Sequence, residues 1–226
     1  MSNPALSGPS VPPASGGKPK QLVIFLHGVG SDGNDLIALA PYFAQALPDA
    51  EFLSPNAPQP FDMAPFGFQW FSLQDRSPEA IGAGVRQTLP VLNAFIDAEL
   101  EKRGLTDADL ALVGFSQGTM MSLHAALRRP RACAVVVGYS GLLADPESLP
   151  GEIKSRPPVL LIHGEADDVV PFGLHPAAVE ALERAGVPVL AMTRPGLGHS
   201  IDQEGLVAGI RFVAQSFGAA RQEQQE

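Results

Sequence analysis

The sequence predicts an α/β fold, a mostly parallel sheet with helices on both faces, and three observations predict it. Short apolar runs alternate along the chain with stretches of helical periodicity. The runs are near-continuous rather than alternating, which belongs to strands covered on both sides. No repeat and no long Pro/Gly tract divides the middle of the chain. At 226 residues a single domain can bury well over half of the surface its unfolded chain exposes.

Taken in order, residues 1–18 are rich in Pro, Ser, Gly and Ala, with too little apolar surface to offset ordering, and are expected to be a flexible leader. Gln21–Leu26 is a strand. Leu36, Leu39, Ala40, Phe43 and Leu47 follow at helical spacing, with Pro41 kinking or restarting that helix. Residues 58–73 gather Phe61, Met63, Phe66, Phe68, Trp70 and Phe71 in a turn-rich stretch too irregular for one element. Pro78–Arg103 is the clearest helix, with Ile81, Val85, Leu89, Leu92, Phe95, Ile96 and Leu100 on one face and Gly104 as its stop; Pro90 interrupts its regularity. Strands are then expected at Leu110–Val113, Cys133–Val137, Val159–Ile162 and Val187–Met192. Helices are expected at Gln117–Leu127, Pro176–Ala185 and Gly205–Phe217. Residues 219–226 read as a loose tail, leaving one domain over 19–218.

Composition excludes several function classes. The net charge of −9, with 15 scattered basic residues, argues against nucleic acid and against an anionic membrane surface, because both need clustered Lys and Arg. No apolar run approaches a bilayer span, the N-terminus lacks the basic start and apolar middle of a signal peptide, and Ser2 does not support N-myristoylation. A cytoplasmic protein is expected. The lone Cys133 forms no intramolecular disulfide and, set in A-C-A-V-V-V, reads as an inert core thiol.

In open parallel sheets reactive groups gather beyond the carboxyl ends of the strands. The first strand exits into Leu26-His27-Gly28-Val29-Gly30-Ser31, a glycine turn able to present backbone N–H groups to an oxyanion; an ordinary turn before a helix capped by Ser31 or Asp32 explains it equally well. His27 reads as a hydrogen-bonding brace for that loop. Leu110–Val113 runs into Gly114-Phe115-Ser116-Gln117-Gly118, where a serine between two glycines has the pattern of a strained strand-to-helix turn. Gly138-Tyr139-Ser140-Gly141 has the wrong glycine spacing for such a turn. The next exit carries His163-Gly164-Glu165-Ala166-Asp167-Asp168, where one of two adjacent carboxylates can orient an imidazole. The last carries Gly198-His199-Ser200. Each signal alone is weak, but together they give the order Ser, Asp, His of the α/β-hydrolase arrangement.

The combination of L-H-G-V-G at 26–30, G-F-S-Q-G at 114–118, H-G-E-A-D-D-V-V-P at 163–171 and G-H-S at 198–200 resembles the carboxylesterase/acyl-protein thioesterase family of small α/β-hydrolases, also called phospholipase/carboxylesterase. F-Q-W-F-S at 68–72 is similar to its bacterial members. The resemblance spans about residues 20–217 and implies a serine hydrolase with Ser116 as nucleophile, His199 as general base and Asp167, rather than Asp168, as the acid. It implies the backbone N–H groups of Val29 and Gln117 as oxyanion donors, with no cofactor and no metal; the five histidines show no metal-ligand spacing.

Expected substrates are small esters of short to medium acyl chains, with thioesters and lysophospholipids as alternatives, since the chain has no room for a large lid domain. Phe66 and Trp70 are the candidate substrate-lining residues of a loop that finishes the core, lines an acyl pocket or acts as a flap. The sequence leaves open a homodimer through that loop, a non-catalytic ligand-binding protein on the same fold, and a peptidase or carbon–carbon bond hydrolase on the same scaffold.

Overall fold

A computed structural model of the protein describes residues 6–223. In chain order its elements are β1 (Ser10–Val11), β2 (Gln21–Leu26), α1 (Gly33–Ile37), α2 (Ala40–Ala46), β3 (Ala50–Leu53), β4 (Gln59–Pro60) and β5 (Phe68–Gln69). There follow α3 (Pro78–Arg103), β6 (Leu110–Phe115), α4 (Gln117–Arg128), β7 (Val135–Tyr139), α5 (Leu149–Glu152), β8 (Val159–Gly164), α6 (Leu174–Arg184), β9 (Val189–Arg194) and α7 (Gln203–Glu223). The main sheet has seven strands in the order β1-β3-β2-β6-β7-β8-β9, and every neighbouring pair is parallel except β1 with β3. β4 and β5 form a separate antiparallel ribbon.

Period-two alternation explains the two buried layers. Leu22, Ile24, Leu110, Leu112, Val136 and Leu161 pack on one face with residues of α3, α4 and α6, whereas Val23, Phe25, Ala111, Val113, Val137 and Ile162 pack on the other with residues of α1, α2 and α7. Both faces being covered, the strands read as unbroken apolar runs. β2 leads outward to β3 on one side, while β6 starts the march to β9 on the other, so strand order reverses between β2 and β6. That reversal opens a crevice at the carboxyl ends of these two strands, the switch point at which ligands bind in open α/β sheets.

Several expectations are refined. Pro41 restarts the helix: α1 ends at Ile37, and α2 carries the proline in its first turn, where no N–H is needed. α3 runs unbroken through Pro90, which lies on its exposed side; Ser77 caps its start by accepting from the Ala80 N–H, and Gly104 ends it at φ 69°. β3 was not expected, since A-E-F-L is short and carries a charge.

The leader is a correction. From Leu6 it lies against the body: Leu6 is buried, Ser10 and Val11 pair with Leu53 and Phe52, and Ser54 donates its N–H to Pro9 O at 3.1 Å. Main-chain bonds hold Ser10–Val11 as a short edge strand, so the scarcity of large side chains does not set this part free, and its prolines reduce the entropy lost on ordering. The expected loose tail is helical through Glu223; residues 1–5 and 224–226 lie outside the described residues.

Candidate active site

Ser116 stands at the exit of β6 as the residue before α4, with φ 53° and ψ −116°. Non-glycine residues avoid this region unless their surroundings over-determine it. Here the surroundings do. A Cβ on Gly114 would lie 2.4 Å from Gly118 O, and a Cβ on Gly118 would lie 1.7 Å from Leu26 O. The two glycines let α4 start directly against the strand it leaves and against the neighbouring exit of β2, which presses Ser116 into the crevice. Ser116 anchors this corner by donating its own N–H to Tyr139 O at 2.9 Å.

The β2 exit folds over the same point. A Cβ at Gly28 would be 3.4 Å from Ser116 Cβ, so the turn that carries Val29 overhangs the serine. Gln117 is the first residue of α4, whose leading N–H groups have no acceptor within the helix. Its buried side chain links the crevice to the aromatic loop, accepting from Trp70 N at 2.8 Å and donating to Phe71 O at 2.7 Å.

Trp70 is therefore placed differently from the expectation of a substrate-lining residue. It is fully buried, and its indole N–H donates to His27 O at 2.9 Å. It supports the turn from behind, because a buried indole needs an acceptor and a wall, not a ligand. His27 is a brace as expected: Nε2 accepts from Ala57 N–H at 3.0 Å, which leaves Nδ1–H facing Gly28 O at 2.7 Å. Burial lowers the pKa of His27 against the raising effects of Gly28 and the nearby Asp32 and Asp35. Phe66 is 73 % exposed and stands with Phe61 and Val29 at an open cleft of about 680 Å3. A second cleft, also about 680 Å3 and largely apolar, is lined by Ile81, Leu142, Leu143, Leu174 and Ala178. It starts one residue beyond Gly141, where a Cβ would lie 2.8 Å from Ser116 O.

β8 and β9 deliver the other two residues. His199 Nδ1 lies 2.8 Å from Asp167 Oδ2, and the His199 ring packs on that of Phe115, centroids 4.9 Å apart, next to Ser116. Facing a carboxylate, Nδ1 carries the proton, which leaves Nε2 the nitrogen without one. Oδ1 of Asp167 accepts N–H bonds from Val169 and Val170, both 2.9 Å. Burial pushes the Asp167 pKa up, but the bonds from His199, Val170 and Val169 outweigh it, and the carboxyl is held below its ordinary range. Asp168 is exposed. Between the two carboxylates the geometry brings Asp167 to His199. Backbone bonds from Glu165 N to Arg194 O and from Ala166 N to Leu197 O knit the two loops together.

Two residues at the site are given no role in it by the sequence. Ser140, whose glycine spacing is wrong for an elbow, also has positive φ, 46°. Its N–H donates to Ile162 O, and its hydroxyl lies 3.4 Å from Ser200 O, tying the β7 exit to the His199 loop. His163 is buried beside Asp167; its position at a strand end before glycine was the available signal. Among the described residues no cluster of three or more His, Cys, Asp or Glu has the makings of a metal site, and no helix is long and apolar enough to cross a membrane.

Known proteins share this arrangement of chain. A family described as Phospholipase/Carboxylesterase matches residues 11–217. Esterase YpfH of Escherichia coli (strain K12) is 32% identical over 187 residues, covering 83% of this chain and 79% of that one. Acyl-protein thioesterase 1 of Schizosaccharomyces pombe is 29% identical over 208 residues, covering 87% and 91%. The crystal structure of esterase PE8 matches with a TM-score of 0.90 at 44% identity over 93% of this chain and 99% of that one.

Proposed function

Because the chain belongs to the phospholipase/carboxylesterase family of α/β-hydrolases, we propose that it cleaves carboxylic esters of short to medium acyl chains, or the corresponding thioesters, by a serine mechanism. The observation that carries this reading is the 2.8 Å contact of His199 Nδ1 with Asp167, on an imidazole packed against the residue before a strained Ser116.

In this reading His199 Nε2 takes the Ser116 proton as Oγ bonds to the acyl carbon, and Asp167 holds the imidazolium so formed. The Val29 and Gln117 N–H groups receive the oxyanion; one such donor stabilises the transition state by about 3 kcal/mol. Collapse breaks the bond to the alcohol or thiol, which leaves with the proton from His199. Water then attacks the acyl-enzyme with His199 again as base, returning free acid and free Ser116. The apolar cleft that begins at Leu142 suits the acyl chain. The open cleft at Val29 and Phe66 leaves space for the departing group.

A panel of esters and thioesters of graded chain length, assayed beside Ser116→Ala, tests this. The substitution should lower kcat by roughly 10⁴-fold or more, and a fluorophosphonate should label Ser116 in the native protein only. Turnover that survives Ser116→Ala removes the serine mechanism. Absence of both labelling and turnover across the panel leaves a ligand-binding protein on a hydrolase scaffold.

A further inference from the structure

The structure assigns His163 a positioning role behind Asp167, an inference that rests on the serine mechanism proposed above. His163 sits one residue before the end of β8 and is 1% exposed. Its Nε2 lies 2.9 Å from Val170 O and 3.3 Å from Asp167 Oδ2. A carbonyl and an ionised carboxylate only accept, so the nitrogen between them must carry the proton. That N–H donates to Val170 O, with its positive end beside the carboxylate oxygen that His199 uses.

The contacts close on themselves. Val170 donates its N–H to Asp167 Oδ1, Val170 O accepts from His163, and His163 Nε2 abuts Asp167 Oδ2. The turn from Asp167 to Val170 cannot shift without breaking one of these. The His163 ring is confined in turn. His175 lies at a centroid distance of 5.4 Å, and Phe172 meets it edge-on at 6.1 Å. An apolar residue would fill this space equally well, but it would leave Val170 O without its donor and Asp167 Oδ2 with His199 alone, loosening a carboxylate then held only through Oδ1 and His199. His163 lines neither cleft described above, so its loss should be felt in the chemical step and not in substrate binding.

The test compares His163→Gln, His163→Asn and His163→Leu with the native protein on one short-chain ester, with thermal unfolding measured alongside and Ser116→Ala assayed in parallel. A glutamine amide nitrogen falls near the place of imidazole Nε2; an asparagine amide falls near Nδ1 and stops short of Val170. We expect kcat to drop about 10- to 100-fold in the Asn and Leu variants, as when outer groups orienting a metal-bound histidine are removed, with KM within about twofold and Gln restoring kcat to within about fivefold. Folded Asn and Leu variants with native kcat overturn the role, as does a Gln variant no better than Asn. If the Leu variant does not fold, the Gln-to-Asn comparison decides; if Gln does not fold either, His163 serves the fold and the inference falls. Surviving turnover in Ser116→Ala would instead refute the serine mechanism, whereas a dead Ser116→Ala beside an undiminished His163→Asn sinks only this inference.

Discussion

The two sides of the crevice are built by different means. On the elbow side, the exits of β2 and β6 meet by close backbone approach: Gly118 approaches Leu26 O so closely that a single methyl would overlap it, and Ser116 is forced to φ 53°. On the side of Asp167 and His199, the exits of β8 and β9 also approach closely, a Cβ on Gly164 falling 2.2 Å from Leu197 O, but the polar groups are aligned through Asp167, whose oxygens gather His199, His163 and the N–H groups of Val169 and Val170. The first is a steric device with no slack. The second adds to its own close approach at Gly164 an electrostatic cluster around Asp167, whose shape should survive a change of atoms where its proton placement would not.

That difference predicts opposite failures. Asp167→Asn should lower kcat by about 10⁴-fold, because an amide N–H turned toward His199 forces Nδ1 to accept and places the proton on Nε2, the wrong tautomer for a base. The fold should persist, since the remaining amide oxygen still accepts from Val169 and Val170. Steady-state kinetics with circular dichroism checks both; a variant retaining more than about a tenth of native kcat would show that Asp167 does not set the tautomer. Gly118→Ala should act the other way. With Leu26 O 1.7 Å from the new Cβ, α4 must move off the sheet, at a cost we place above about 4 kcal/mol, in the class of severe overpacking and backbone strain. Denaturant unfolding reads it, and a near-native midpoint would mean that the elbow has room to spare.

The same difference explains what could be read in the sequence. The elbow was legible because sterics on a short segment leave a local mark: only glycine fits at 114 and 118. The choice of Asp167 over Asp168 was not legible from chemistry, as both are carboxylates after one strand, and it came from the family resemblance until the turn at Val169 and Val170 fixed which one faces inward. Trp70 was misplaced because an aromatic in an irregular loop carries no sign of which side it presents; Gln117 and His27, distant in sequence, decide that. Long apolar runs marked β2, β6, β7 and β8 well. β1 and β3 escaped because their pairing rests on main-chain bonds that short, partly polar segments make as readily as apolar ones. Pro41 showed that the first helix would be interrupted, and the structure resolved the interruption as a clean restart.

A smaller effect compares the two sides through stability. Each keeps a buried histidine with unbonded nitrogen: His124 on α4, behind the elbow, with both ring nitrogens unpaired, and His175 on α6, behind His163, with Nε2 unpaired. Burial pushes both down from 6.5 to about 4, helped by Arg128 and Arg86 at His124 and by His163 at His175. Between pH 6.5 and about 4 the unfolded chain therefore binds protons at these sites that the folded chain refuses, so stability falls as pH falls through that window. Each histidine adds at most about 1.4 kcal/mol per pH unit to the slope. Glu152 works in a lower window: its bonds from Arg86 and Arg128 hold it at about 2, so its contribution persists down to its unfolded range near 4.5 and fades only below. Unfolding midpoints measured from pH 7 to 5 should decline in the native protein and decline less steeply in His124→Leu and in His175→Leu. If the two substitutions flatten the slope equally, the two sides bear the same proton-linked cost. A slope untouched by either would place the acid sensitivity outside both histidines.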